Sequence, residues 1–199
     1  MAKDPQIKRL MIDETRKILE EHGNVTIKEI AERCYVNIAS VNYYFGSKEN
    51  LIFIVISEVL SEIKQMVFTM VDDKQDKTPE AFLEEIIGLI YNFSLDHVGI
   101  LSYLFMANGM KDGQLAEFVR SFFLDPEFVQ MVYKNLGEQL NTNDIKLLQV
   151  KYMIIFSSFF MPLFIQIIHP SDDEEEKMEM FRDPVFKKHF TEQILKIIA

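Results

Sequence analysis

The fold of this chain is decided between residues 26 and 49, Thr26-Ile-Lys-Glu-Ile-Ala-Glu-Arg-Cys-Tyr-Val-Asn-Ile-Ala-Ser-Val-Asn-Tyr-Tyr-Phe-Gly-Ser-Lys-Glu49. Thr26 and Glu29 form a Thr-x-x-Glu capping box, and Val25 and Ile30 stand where a hydrophobic staple closes around it. Ile27, Ile30 and Ala31 give the inward face, with Ala31 small enough for another helix to approach closely. Asn37 caps the next helix, stapled by Val36 and Val41, so only Cys34, Tyr35 and Val36 remain for the turn. Ser47 then caps a longer helix that opens Lys48-Glu49-Asn50-Leu51. Two short helices joined by a tight turn, the second small, polar and aromatic on its outer side, outline a helix-turn-helix that lays its second helix in a DNA groove.

The recognition helix is expected over Ile38 to Phe45, with Ile38 or Ala39, Ser40, Asn42 and Tyr43 outward and Val41 and Phe45 in the core. Asn pairs bidentately with adenine, Ser bonds either partner, and Ala or Ile touches a thymine methyl. Thr26, Asn37, Tyr43, Tyr44 and Lys48 complete the candidate DNA-binding set. Phosphate contacts are expected from Thr26, Tyr43, Tyr44 and Lys48, and from the N-termini of the second and fourth helices.

These residues carry a resemblance. The stretch resembles the N-terminal domain of the tetracycline-repressor (TetR) family of bacterial transcriptional regulators. It matches the family pattern with Thr26, Ile30, Ala31, Val36, Val41, Tyr43, Tyr44, Phe45, Ser47, Lys48, Glu49 and Leu51, over roughly the first quarter of the chain. The resemblance implies three DNA-domain helices, a linking fourth helix and a C-terminal regulatory bundle. It also implies phosphate anchors at Tyr44 and Lys48 and a homodimer joined through the last two helices. Two residues depart from the pattern. Tyr35 stands where the family usually has Gly in the turn, so a distorted turn or a shifted register is expected. Asn42 stands where the family often has Tyr, which shifts the expected base preference.

A net charge of −10 looks wrong for a DNA binder, but the charge is unevenly distributed. Residues 1–50 hold eight basic and eight acidic side chains; residues 51–199 hold thirteen basic and twenty-three acidic ones and carry the whole excess. Specific binding needs only a local basic footprint, whereas weak non-specific binding follows from the lack of a strongly basic arm. A single cysteine, Cys34, excludes an intramolecular disulfide framework and fits a reducing cytoplasm. With no visible N-terminal signal peptide, a cytoplasmic protein is expected.

Helix signals dominate the remainder, so the fold class expected is all-α with nine or ten helices. Asp4-Pro5, Thr78-Pro79, Asp125-Pro126 and Asp183-Pro184 each read as an N-cap followed by proline at the first helical position. The first helix should run from Pro5 to about His22, with apolar residues at Ile7, Leu10, Met11, Ile18 and Leu19, and stop at Gly23. A fourth helix from Lys48 to Val71 carries an apolar stripe at 51, 52, 55, 59, 63, 66 and 70. Further helices are expected from Pro79, over Val98–Met106, over 113–124 and 126–140, from Asp144 to Ile168, and to the end of the chain with a restart at Pro184. The organisation expected is a DNA-binding domain over 1–47 and a ligand-binding and dimerisation domain over 48–199.

Residues 153–168 are nearly all apolar, yet at 16 residues with two Ser, a Pro and a Gln they fall short of the ~20 needed to span a bilayer. A helix apolar all round is buried, here between the core and a second subunit, with Phe159 and Ile194 as expected outward positions. The regulatory half is rich in Phe and Met. Phe93, Tyr103, Phe105, Met106, Phe122, Phe123, Tyr152 and Phe156 are the candidate ligand-binding residues, and they point to a small apolar or aromatic ligand. The four histidines show no metal-ligand spacing, and no phosphate loop or nucleophile elbow is present, so no catalytic residue, metal or cofactor is expected. The reading is a non-enzymatic DNA-binding regulator, a repressor released by its ligand, acting as a homodimer on operator DNA and not at a membrane. The alternative is a helical ligand-binding or interaction protein that no longer binds DNA.

Overall fold

The computed structural model describes residues 4–73, 77–105, 120, 123–168 and 179–198. Nine α-helices run through the described residues: α1 (Pro5–His22), α2 (Ile27–Arg33), α3 (Ile38–Phe45), α4 (Lys48–Asp72), α5 (Pro79–Asp96), α6 (Val98–Phe105), α7 (Pro126–Leu140), α8 (Ile145–Ile167) and α9 (Pro184–Ile198). Most of the helix expected over 113–124, and the acidic run at 172–176, lie outside the described residues. Two compact units divide the chain. One comprises Met1–Glu62 with His97–Val119, the other Ile63–Asp96 with Arg120–Ala199.

In the first unit, α1 begins where Asp4 accepts the Gln6 N–H at 2.9 Å and Pro5 follows. It ends at Gly23, whose φ of 62° is the left-handed stop and whose N–H donates to the Leu19 carbonyl at 2.8 Å. The buried stripe is Met11, Ile12, Thr15, Ile18 and Leu19. Of the other apolar residues of α1, Leu10 is exposed and Ile7 is half-buried. Thr15 is tolerated inside because its hydroxyl donates to the Met11 carbonyl at 2.6 Å. α6 packs on α1 at Gly99. A Cβ there would overlap the Leu19 carbonyl oxygen and come within 2.8 Å of that of Glu20, so only glycine fits. Arg16 bonds both Glu62 and Glu20, and Glu20 also meets His97 at 3.1 Å, which ties α1 to α4 and to the start of α6.

α4 is buried at Leu51, Ile52, Val55, Ile56, Val59, Ile63 and Val67. The stripe passes through Val67 and leaves Met66 exposed, a correction of one position to the expected register.

In the second unit α5, α7, α8 and α9 close a ring, each packing on the next. Ile63, Val67, Phe128 and Tyr152 are buried at one centre, with Phe68, Phe93, Met131 and Phe156 around them. Tyr91 is buried and donates its hydroxyl to the Phe181 carbonyl at 2.6 Å. α8 runs through Pro162 as a single 23-residue helix. Its stretch Ile145–Ile165 is therefore long and apolar enough to span a bilayer, and length is no argument against one. What distinguishes α8 is its two-sidedness. Leu148, Tyr152, Ile155, Phe159, Leu163 and Ile167 face inward at spacings of three and four, while Val150, Met153, Met161 and Ile165 are exposed. Phe159 and Ile194, expected to point outward, are both buried within the chain. Only 28% of the most apolar window of α8 is buried.

Candidate nucleic-acid interface

The turn between α2 and α3 is a complete Schellman motif. Val36 N–H donates to the Ala31 carbonyl at 2.9 Å, and Tyr35 N–H to that of Glu32 at 3.2 Å. Tyr35 takes the left-handed position itself, with φ 54°, so the turn is neither distorted nor shifted. The residue performs glycine's role at the cost of backbone strain, and its side chain is 95% exposed.

The capping box that opens α2 is formed in full. Thr26 N–H and hydroxyl donate to Glu29 Oε2, both at 2.7 Å, and the hydroxyl accepts the Glu29 N–H at 3.2 Å. These bonds from Thr26 hold the Glu29 carboxyl below the usual carboxylate range. The only hydroxyl proton of Thr26 is thus committed to Glu29, so a phosphate bond from it requires that proton to change partners. Ile30 and Ala31 are buried as expected, whereas Ile27 is only half-buried.

α3 presents one continuous outer face. Asn37 caps it by accepting the Ala39 N–H at 2.9 Å. Val41 and Phe45, four apart, are buried, which turns Ile38, Ala39, Asn42 and Tyr43 outward. Ile38 is 46% and Tyr43 51% exposed, large values for apolar bodies on a folded surface. Ser40 is partly exposed beside them. Tyr44 is half-buried and its hydroxyl accepts the backbone N–H of Asp4 at 3.1 Å, which fixes the start of α1 against α3. Lys48 donates from Nζ to the Val25 carbonyl at 3.1 Å, placing its ammonium beside the start of α2.

The arginines of this unit's helices are occupied. Arg9 bonds Asp13 and Glu58, Arg16 bonds Glu20 and Glu62, and Arg33 bonds Glu21. Lys17 pairs with Glu14 at 2.6 Å. Lys28, on the first turn of α2, is 73% exposed with only a loose 3.6 Å approach to Glu32. It belongs with the candidate phosphate contacts, and the family pattern does not reveal it because that pattern skips the residues between Thr26 and Ile30. Cys34 is buried and its thiol is pushed up to about 11 by burial, then by the Glu14 charge, the opposite of a reactive thiolate.

The candidate ligand residues divide. Phe93, Phe123, Tyr152 and Phe156 meet in the second unit. The Phe156 ring lies 5.3 Å from Phe123 and 4.5 Å from Tyr152, whose hydroxyl donates to the Phe123 carbonyl at 2.9 Å. Tyr103 and Phe105 belong to α6 in the other unit, and the buried Tyr103 hydroxyl has no hydrogen-bond partner among the described residues. Met106 and Phe122 lie outside the described residues. An apolar cavity of about 40 Å³ in the second unit is lined by Phe156 with Ile86, Ile90, Met131, Leu136 and Ile155, among others. Among the described residues no group of three metal-ligating side chains gathers.

Residues 11–54 match the family described as "Bacterial regulatory proteins, tetR family". No curated protein matches the chain by sequence. Solved structures share the whole fold at low identity. A Mesorhizobium loti protein assigned to the TetR-family transcriptional regulators is 14% identical over 99% of this chain and 98% of its own, with a TM-score of 0.67. FadR from Bacillus subtilis, solved in complex with stearoyl-CoA, is 13% identical over 96% of this chain and 96% of its own, with a TM-score of 0.64. AibR, solved in complex with isovaleryl coenzyme A and operator DNA, is 11% identical over 96% of this chain and 97% of its own, with a TM-score of 0.62.

Proposed function

We propose, for a chain whose N-terminal domain makes it a TetR-family DNA-binding transcriptional regulator, that it is a homodimeric repressor released by a small apolar ligand. The observation that carries the DNA-binding part is the outer face of α3, held in place by two capping motifs and by Val41 and Phe45 in the core. Its DNA-binding residues are Thr26, Asn37, Ile38, Ala39, Ser40, Asn42, Tyr43, Tyr44 and Lys48, to which Lys28 is added. Division of labour at residue 47 is retained as a functional boundary, since all of these except Lys48 precede it. The regulator works in the cytoplasm, on DNA and not at a membrane.

The uncovered face of α8 supports a second copy of the chain as partner, with 144–168 and 184–198 at the interface. The ligand reading is supported by the aromatic cluster around Phe156, and by fold relatives solved with stearoyl-CoA and isovaleryl coenzyme A. An acyl chain is therefore the first ligand class to examine. The 40 Å³ cavity holds little more than a water molecule, so a ligand there must open the bundle. That requirement is what couples it to DNA: a ligand shifts the equilibrium only by its differential affinity for two arrangements, typically about 1–3 kcal/mol. α4 runs without a break from the first unit into the second and is the covalent path for such a shift.

The test is selection of genomic fragments on the purified protein, followed by competition with fatty acids of graded length and their CoA thioesters. A near-palindromic site released by one of these is the expected result. A protein that enriches no DNA sequence would leave the alternative, a helical ligand-binding or interaction protein.

A further inference from the structure

We propose that α3 reads an A·T core in each operator half-site, through thymine methyl groups at Ile38 and an adenine edge at Asn42, and makes no charged, bidentate contact to guanine. This rests on the DNA-binding reading above and adds the chemistry of the bases. Arg or Lys bidentate to guanine is the commonest specific contact in a major groove. α3 has no charged residue at all: Ile38-Ala-Ser-Val-Asn-Tyr-Tyr-Phe45. The three arginines of the surrounding helices are all held by carboxylates, Arg9 and Arg16 each by two of them. What the face offers a base edge is the apolar surface of Ile38, the Asn42 amide and the neutral hydroxyls of Ser40 and Tyr43, with no cation among them.

Ile38 is the first residue of α3, the end that meets base edges in a helix-turn-helix, and it is half exposed with no role in the core. An exposed isoleucine there gains from burial against a methyl group, which only thymine carries in the major groove. Asn42 lies four residues on, on the same side of the helix, beside Ile38. Adenine recognition needs both halves of an amide, the oxygen accepting from N6 and the nitrogen donating to N7. Asn37 is placed for another task, since its oxygen accepts the Ala39 N–H at 2.9 Å and its side chain is thereby fixed as the helix cap. Asn42 is exposed, and its backbone carbonyl, not its amide, accepts the Gly46 N–H at 2.8 Å. The two asparagines therefore divide the work: Asn37 holds the helix and Asn42 reads.

The experiment is repeated selection from randomised duplexes with the full-length protein. Each thymine of the resulting consensus is then replaced by deoxyuridine, which removes only the C5 methyl. The expected outcome is a consensus whose half-site cores are A·T, with a roughly three- to fivefold loss of affinity at one or two uracil positions. Ile38→Ala should still bind but no longer distinguish thymine from uracil there, and Asn42→Ala should relax choice at a neighbouring adenine. Half-sites centred on G·C pairs would overturn the proposal while leaving DNA binding intact, as would uracil tolerated everywhere. A guanine preference that disappears in Lys28→Ala would overturn it too, by moving base readout to α2. If no duplex is enriched, the DNA-binding reading itself fails, a result distinct from all of these.

Discussion

α3 and α8 both expose apolar side chains, and the difference between the two faces teaches what each is for. On α3 the exposed Ile38 and Tyr43 are interleaved with Asn42 and Ser40, so the face has hydrogen-bonding groups at every turn. On α8 the exposed Val150, Met153, Met161 and Ile165 share their side with Ser157, which donates to its own helix at the Ile154 carbonyl, and with Lys146 near the helix start. A mixed face suits base edges, which present donors, acceptors and methyls together. A face that offers few polar groups suits another protein surface of the same kind. The supports differ as well. α3 is eight residues long and is held by local caps, whereas α8 is 23 residues long and is held by packing against α7 and α9.

The largest effect expected is on the α8 face. Ile165→Glu places a charge on a surface that a two-fold interface would bury twice. An unpaired buried charge costs about 3–5 kcal/mol, so the dimer dissociation constant should rise about 100-fold or more. Sedimentation at graded concentration reads this directly. The equivalent change on α3, Tyr43→Glu, should leave assembly untouched and damage only DNA binding. If Ile165→Glu remains as dimeric as the parent, the contrast between the two faces is wrong and the interface lies elsewhere.

A smaller effect tests what supports α3. The compact unit that carries it includes α6, more than fifty residues further along the chain, through the Gly99 contact with α1. Gly99→Ala should cost about 1–3 kcal/mol by overpacking, because the atoms it meets are backbone carbonyls that cannot turn aside. Gly88 in α5 is the internal control. A Cβ there meets nothing within 4 Å, so Gly88→Ala should stabilise by about 0.5–1 kcal/mol. Chemical denaturation of the two variants, with operator binding followed alongside, measures whether α6 and α3 belong to one cooperative unit. Equal stability in both would mean that the α1–α6 contact yields more easily than its geometry implies.

What was legible in the sequence follows the same contrast. The caps at Thr26, Asn37 and Asp125, the stop at Gly23 and the helix starts at Pro5, Pro79, Pro126 and Pro184 are local signals, and the helices begin and end where they indicate. The outer face of α3 was legible for the same reason, since burial of Val41 and Phe45 in eight residues fixes which side is left outside. Facing on α8 was not. A helix apolar all round has no periodicity to show which side meets the core, and Phe159, expected outward, packs 5.2 Å from the Phe190 ring. The ligand set was legible only as composition. Whether Tyr103 joins Phe156 depends on how distant segments pack, and the two fall in different compact units. Gly99 gave no signal, because the close approach it permits is to a helix more than seventy residues earlier in the chain.

The smallest effect concerns Tyr35, where a local signal and its outcome diverge. The missing glycine implied a distorted turn, yet both Schellman bonds form and Tyr35 itself takes φ 54°. A non-glycine residue in that conformation is disfavoured by roughly 1–2 kcal/mol, and glycine's greater freedom in the unfolded chain returns part of the difference. Tyr35→Gly should therefore stabilise the first unit by about 0.5–1 kcal/mol. The side chain is almost wholly exposed, so its removal sacrifices little packing. Thermal unfolding of the variant gives the sign, and operator binding gives the meaning. Higher stability with unchanged affinity makes Tyr35 a strained but silent turn residue. Higher stability with weaker binding makes its exposed ring a DNA contact, and the interface then extends from α3 back into the turn. Lower stability would mean that the turn holds Tyr35 by contacts that its exposure does not reveal, and that the left-handed backbone there is not strained after all.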